Sequence, residues 1–469
     1  MKTLIKNISL YSIVRILPPI LSFILLPFYT KYTSTSDYGI ISSMQVLNSV
    51  FVVLFVLAFD LALYRIYHDY SSKEDKKELL GTIFMTIVAS GLIFSSLLII
   101  FSDFTNLFFP SIDFFPYYFL TISYTFLQIF STIPLVYYQM NHKALLYVIL
   151  SLSSTIITIF FIIFFLIFQG EGAIGYLKGE LFGKLILAPV YLFVTYKIIS
   201  FKFSYSKLNN TLKFSLPMIP GILCAWIINL SDRIFIEKYL TLEDVAIYSV
   251  GYKLGSIVLI LFGAISMAYS PYFYEKASMK DQKKVKFELG FINSTIIILS
   301  IYCSVFLILF ANNLVDIFFD MRYENALIII PIITFAYLFS LATGLLNLMF
   351  NQKKKSLDLM YIILFGAIMN FIFNFLLIPT YGMYGAAWAT LISFSLIFFI
   401  QLILSKNYYY VPFDKKLILN YTLPVILICP LIILDRLDLK FLIFKIIVVI
   451  IYLLFLYKKL KVKFKLVTD

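Results

Sequence analysis

Residues 144–168 read ALLYVILSLSSTIITIFFIIFFLIF, twenty-five positions without a single charge. A helix crosses the hydrocarbon core of a bilayer with about 20 consecutive apolar residues, so this stretch on its own places the chain in a membrane. The run from Met383 to Ser405 is equally uncharged. Working outward, the 469 residues are 61% hydrophobic and 13% charged, against roughly 45–50% and 25% for an ordinary soluble domain. That much apolar surface has no place in water.

Apolar runs between charged or turn-rich breaks predict an all-α polytopic membrane protein with about fourteen spans. They fall near 8–30, 39–66, 80–101, 116–140, 144–168, 175–200, 213–237, 244–274, 287–311, 325–350, 357–379, 383–405, 416–434 and 440–459. The start, MKTLIKN, has the positive charge of a signal peptide. The apolar stretch behind it is long, contains Arg15 and shows no small-residue cleavage site, so it reads as a retained first span. Cys224, Cys303 and Cys429 all fall in apolar segments without CxxC spacing, which implies neither a disulfide framework nor a metal site. No cofactor is expected.

With the N-terminus on the cytoplasmic side, the inner segments hold 26 of the 38 Lys and Arg residues and the outer loops hold 5. The positive-inside rule then sets the orientation, with both termini cytoplasmic. The formal charge of +13 follows from topology and attraction to anionic headgroups, with no need for nucleic acid. Connecting segments are too short for a soluble catalytic domain.

The sequence repeats itself. Residues 31–77 match residues 238–284 at a constant offset of 207, with 14 identities in 47 positions. KYTSTSDYGIIS lies over KYLTLEDVAIYS, and Lys73, Lys76 and Lys77 lie over Lys280, Lys283 and Lys284. Shared hydrophobicity cannot produce matched lysines. At an offset of 210, Gly172 and Gly175 lie over Gly382 and Gly385; separately, Leu17-Pro18 in span 1 resembles Leu216-Pro217 in span 7. Spans 1–6 therefore correspond to spans 7–12. An even number of spans per repeat gives two parallel six-helix lobes, residues 1–207 and 208–408, expected to face each other across a central cavity. Residues 409–469 add spans 13 and 14 and a basic tail.

Pro18, Pro19 and Pro27 in span 1 and Pro217 and Pro220 in span 7 each remove a backbone donor. Their equivalent placement reads as a hinge or cavity lining as readily as plain packing, since broken helices commonly line transporter cavities. Charges inside spans are costly and mark sites by default. Local pairing at four residues accounts for Arg65 with Asp69, Lys184 with Glu180 and Arg233 with Glu237. Lys178, near the outer start of span 6, has the reach to snorkel to headgroups. Arg15, Lys253 and Asp60 have no opposite charge at helical spacing. Arg15 and Lys253 read as two depths of one cationic pathway, with Arg15 the leading candidate, and Asp60 reads as a titrating group or as half of a cross-helix salt bridge.

Three segments carry a family resemblance. SLPMIPGILCAWIINLSDRIFIEKYLTLEDVAIYSVGYKLGSIV (215–258), MNFIFNFLLIPTYGMYGAAWATLIS (369–393) and the opening span with Arg15 and LPPILSFILLPFYTKYTSTSDYG resemble the Wzx-type polysaccharide flippases of the multidrug/oligosaccharidyl-lipid/polysaccharide exporter superfamily. The resemblance implies a MATE-like fold and passage of undecaprenyl-pyrophosphate-linked oligosaccharide from the cytoplasmic to the periplasmic leaflet of a bacterial inner membrane, by alternating access. It implies Arg15, Arg233 and Lys253 as a cationic substrate wall, although Arg233 is confounded by Glu237 and Asp232, and a polysaccharide polymerase and chain-length machinery as partners; Lys178 is a further cavity candidate, and Asp60, Asp232 and Glu180 are the ion-coupling candidates among the residues. The appended pair of spans departs from the twelve helices of many O-antigen flippases.

Two other readings compete. A MATE-type drug or cation antiporter shares the plan, but its pocket favours lone carboxylates and aromatics, whereas the locally unmatched groups here are two cations and one acid. A membrane glycan polymerase or ligase needs a substantial catalytic outer loop. The outer loops here are short, and the two histidines, His68 and His142, fall in inner loops. A transporter rather than an enzyme is expected.

Overall fold

In the computed structural model, the described backbone covers residues 2–420 and 422, and side chains are described from Leu17 onward except at positions 104, 106, 261, 264, 267 and 268. The Arg15 side chain, Cys429, most of expected span 13, span 14 and the basic tail lie outside the described residues. All regular structure among the described residues is helical.

The helices are α1 (Lys2–Tyr32), α2 (Thr35–Val56), α3 (Phe59–Ile66), α4 (Lys73–Ile100), α5 (Phe119–Gln128), α6 (Thr132–Met140), α7 (Ala144–Ile163) and α8 (Gly172–Ile198). They continue with α9 (Tyr205–Ser215), α10 (Ile219–Leu230), α11 (Asp232–Tyr239), α12 (Leu242–Gly255), α13 (Ile257–Ala277), α14 (Gln282–Phe318), α15 (Ala326–Gln352) and α16 (Ser356–Ser405). Among the described residues, nine helical segments are long and apolar enough to cross a bilayer. One of them is α16, whose 50 residues would run about 75 Å at 1.5 Å per residue, far beyond a core of about 30 Å. Gly382 divides it. Its φ of 60° and ψ of −145° are open essentially to glycine alone, at the turn expected between spans 11 and 12.

The described residues pack as two compact units, one of residues 2–249 with 371–386 and the other of residues 250–370 with 387–420. This division follows packing, and it falls elsewhere than the repeat boundary at 207/208. In the first unit, the seventh span joins the first six. Trp226 donates from Nε1 to Ser49 Oγ at 2.9 Å, and a Cβ added to Gly39 would sit 2.0 Å from the Leu242 carbonyl oxygen. The second unit is knitted by Tyr252 and Tyr337, whose hydroxyls are 2.8 Å apart, and by Gln401 donating to Asn347 at 3.1 Å.

Local devices recur in both repeats. Ser34 caps α2 by accepting from the Asp37 amide at 3.0 Å. At the equivalent position in the second repeat, the Asp244 amide donates to Thr241 Oγ1 at 3.2 Å and Asp244 accepts from the Thr241 amide. The second is a reciprocal capping box, whereas in the first the Ser34 hydroxyl donates to the Asp37 carboxylate. The chain leaving span 6 crosses α4 where a Gly81 Cβ would meet the Ser200 carbonyl oxygen at 1.8 Å, and the chain leaving span 12 crosses α14 where a Gly290 Cβ would meet that of Pro412 at 2.3 Å. Close crossings of this kind require the missing side chain.

Candidate functional site

Expected span 2 is not one helix. Leu57 and Ala58 both adopt left-handed backbone (φ 52° and 55°) and separate α2 from α3. Ser90 Oγ donates to the Phe55 carbonyl beside the break, satisfying an acceptor that the interrupted ladder exposes. Asp60 stands in the first turn of α3, where the helix dipole favours a carboxylate. Among the described residues it forms no salt bridge, and it stands at a new helix N-terminus.

Span 7 is broken as well. Pro217 lies in a 3₁₀ turn over Leu216–Met218 and Pro220 in the first turn of α10, where a missing N–H costs least. By contrast, α1 continues as a helix through Pro18, Pro19 and Pro27. Only the second pair of prolines coincides with a change of helix type.

A second interruption at Ser231 starts α11 with Asp232 and Arg233, both buried. Here the expected pairing changes. Arg233 Nη1 lies 2.7 Å from Asp232 Oδ1 and donates to the Asn229 carbonyl at 2.8 Å. Its guanidinium stacks 5.2 Å above the Tyr248 ring, while the Tyr248 hydroxyl donates to Asp232. Glu237, expected as the partner of Arg233, instead accepts from the Ser111 amide at 2.7 Å. Adjacency defeated helical spacing, because Asp232 at the start of α11 can fold its carboxylate back onto its neighbour. With Arg233 only 5% exposed, its charge is balanced inside the protein rather than displayed to solvent.

A polar pocket of about 230 Å³ lies between α1, α7 and α8. It brings Pro18, Glu180 and Lys184 together with Tyr29, Thr158 and Tyr176. Glu180 and Lys184 form the expected ion pair, as do Arg65 and Asp69. Gln45 donates to the Tyr176 hydroxyl at 2.7 Å, the Tyr176 ring meets Tyr29 edge-on at 5.4 Å, and Lys184 lies over the Tyr124 ring. Lys178 does not snorkel unpaired. It binds Glu171 at 2.9 Å, seven residues away and outside any scan at three or four.

Sequence reading also missed what builds this pocket. Gly175, Gly179 and Gly183 recur every fourth residue along α8, and added Cβ atoms would lie 2.8 Å from the Phe165 carbonyl oxygen and 2.5 and 2.6 Å from the Cα atoms of Ile162 and Thr158. This is the small-xxx-small contact of membrane helices, and its spacing was visible. Gly385, Ala389 and Ser393 repeat it at the offset of 210. The structure places Lys253 in α12, half-buried and in the second unit.

Comparison with known proteins adds the family. A family described as "Polysaccharide biosynthesis protein" matches residues 4–277, and the MatE family matches residues 217–376. The Haemophilus influenzae "Lsg locus putative protein 1" is 25% identical over 59% of this chain and 67% of its own length. The Staphylococcus aureus "Capsular polysaccharide biosynthesis protein CapF" is 33% identical over 33% of this chain and 38% of its own. Among solved structures, the lipid II flippase MurJ in an inward closed conformation superposes with a TM-score of 0.79 at 19% identity, covering 96% of this chain and 99% of that one. An inward-facing multidrug MATE transporter gives 0.59 at 13% identity over 84% and 97%. These likenesses show the fold.

Proposed function

Because this chain belongs to the polysaccharide biosynthesis protein family of the exporter superfamily, we propose that it is a flippase for undecaprenyl-pyrophosphate-linked oligosaccharide. It carries this lipid from the cytoplasmic to the periplasmic leaflet of a bacterial inner membrane by alternating access. The family match over residues 4–277 carries the reading, and the fold shared with a lipid II flippase supports it. A surface-glycan polymerase and its chain-length machinery act on the product.

A pyrophosphate with a polar glycan cannot enter hydrocarbon without compensation. Cations inside spans supply it, and a guanidinium matches phosphate oxygens in geometry. Arg15, Lys253, Lys178 and Arg233 are the proposed substrate contacts. Arg233 and Lys178 are held by Asp232 and Glu171, so each exchanges a carboxylate for phosphate when substrate arrives. Pro217 and Pro220 border the distorted turn about which α10 bends, and Pro18 and Pro19 give α1 its compliance. Outward movement of an anion across an inside-negative membrane is favourable by roughly 2.3 kcal/mol per charge per 100 mV. Glu180, in a polar pocket beside Lys184, is the leading group for ion coupling ahead of Asp232 and Asp60.

Flipping of fluorescent lipid-linked oligosaccharide in proteoliposomes tests the proposal. Arg15→Ala and Arg233→Ala are expected to slow it at least tenfold, and wild-type rates in both variants would sink the cationic-path assignment. A second reading, cation antiport, draws on the MatE match and the Glu180 pocket. Dye accumulation after deletion with surface glycan unchanged would favour it.

A further inference from the structure

In the second unit, an apolar groove of about 420 Å³ runs between α14, α15 and α16, walled by Ile301, Phe339, Phe398 and Leu402. Its volume falls within the roughly 300–1,000 Å³ of small-molecule sites. Phe398 and Leu402 lie one to two turns before the end of α16 at Ser405, so the groove reaches from the helix ends towards mid-span. At that end it is lined by Lys406 and Tyr410, on the connector that follows α16, and by Lys415, where the next helix begins.

The connector is cationic beyond these two lysines. Lys355 lies over the Tyr408 ring and Lys286 over the Tyr409 ring. The acids nearby are engaged elsewhere: Asp358 accepts from the Tyr408 hydroxyl, and Asp414 accepts from the Leu417 amide at 2.9 Å. Among the described residues no carboxylate forms a salt bridge with Lys406 or Lys415, and both are exposed. An apolar slot opening between two lysines and a tyrosine at the helix ends has the polarity of one molecule class, a hydrocarbon chain on an anionic headgroup. Tyrosine at that level suits the bilayer interface, and each surface lysine attracts anionic lipid.

We propose that this groove is a binding site for one anionic diacyl phospholipid of the leaflet on that side. One acyl chain lies along Phe339 and Phe398, and the phosphate sits between Lys406 and Lys415. The lysine pattern assigns that side to the cytoplasm.

The test uses the full-length purified protein and native mass spectrometry after incubation with phosphatidylglycerol or phosphatidylcholine of the same chain length. Wild type is expected to retain phosphatidylglycerol preferentially, with no competition from millimolar inorganic phosphate. Lys406→Gln/Lys415→Gln, a surface change that leaves packing intact, is expected to lower phosphatidylglycerol retention about tenfold and leave phosphatidylcholine unchanged. Ala342→Trp, which fills the groove, is expected to lower both. Equal retention of the two lipids by wild type, or undiminished phosphatidylglycerol in the double lysine variant with an unchanged melting temperature, would overturn the proposal. Failure here leaves the flippase reading intact, because oligosaccharide flipping is measured separately.

Discussion

The two repeats share their framework and differ in their breaks. Side-chain N-caps at Ser34/Asp37 and Thr241/Asp244 and glycine crossings at Gly81/Ser200 and Gly290/Pro412 occupy equivalent positions. In the first repeat, left-handed backbone at Leu57–Ala58 interrupts the second span and a 3₁₀ turn at Ile129–Ser131 the fourth, whereas in the second repeat the seventh span is interrupted at Pro217 and Ser231 and the eighth at Ser256. Duplicated architecture thus keeps the joints that fasten helices together and relocates the points where helices give way. The charged groups follow the breaks, with Asp60 and Asp232 each sitting in the first turn of a helix that starts afresh inside the membrane.

The largest expected effect tests the break in the second repeat. Asp232→Ala removes the carboxylate that balances the buried Arg233 charge, at a cost of about 3–5 kcal/mol, seen as a large drop in melting temperature of the detergent-solubilised protein. Asp232→Asn/Arg233→Gln should lose less than either single change, and simple additivity would show that the pair is not coupled. Next come the shared joints. Gly81→Ala and Gly290→Ala each push a methyl into a carbonyl and should destabilise by at least about 1–3 kcal/mol. A large loss in one with none in the other breaks the equivalence. Ser34→Ala and Thr241→Ala should each cost about 1 kcal/mol as lost N-caps, measured the same way. The smallest effect has the opposite sign: no atom lies within 4 Å of an added Gly221 Cβ, so Gly221→Ala should leave stability unchanged or raise it by up to about 1 kcal/mol.

How much of this was legible depended on whether the signal was carried by hydropathy. Spans followed from runs such as 144–168, and the repeat from lysines that hydrophobicity cannot align. The break at Leu57–Ala58 was invisible because neither residue is a glycine or proline, and only tertiary packing holds two ordinary residues in left-handed backbone. The Lys178–Glu171 pair escaped because a scan for partners three or four residues away does not reach seven, and the Arg233–Asp232 pair because adjacent residues do not face each other on a regular helix. The ladder Gly175, Gly179, Gly183 was readable, but a search for apolar runs does not distinguish small residues from large ones.

The crossings at Gly81 and Gly290 bear on ancestry. In each case the strap follows directly on the last span of the copy whose helix it crosses, at Ser200 and at Pro412, so one copy with its trailing strap carries the whole fastening. A single ancestral unit carrying it could finish its own edge and assemble with an identical, equally oriented neighbour as a homodimer. Two such copies in one chain are free to change separately, and left-handed backbone breaks the second helix of the first copy while a proline-bearing 3₁₀ turn breaks the first helix of the other.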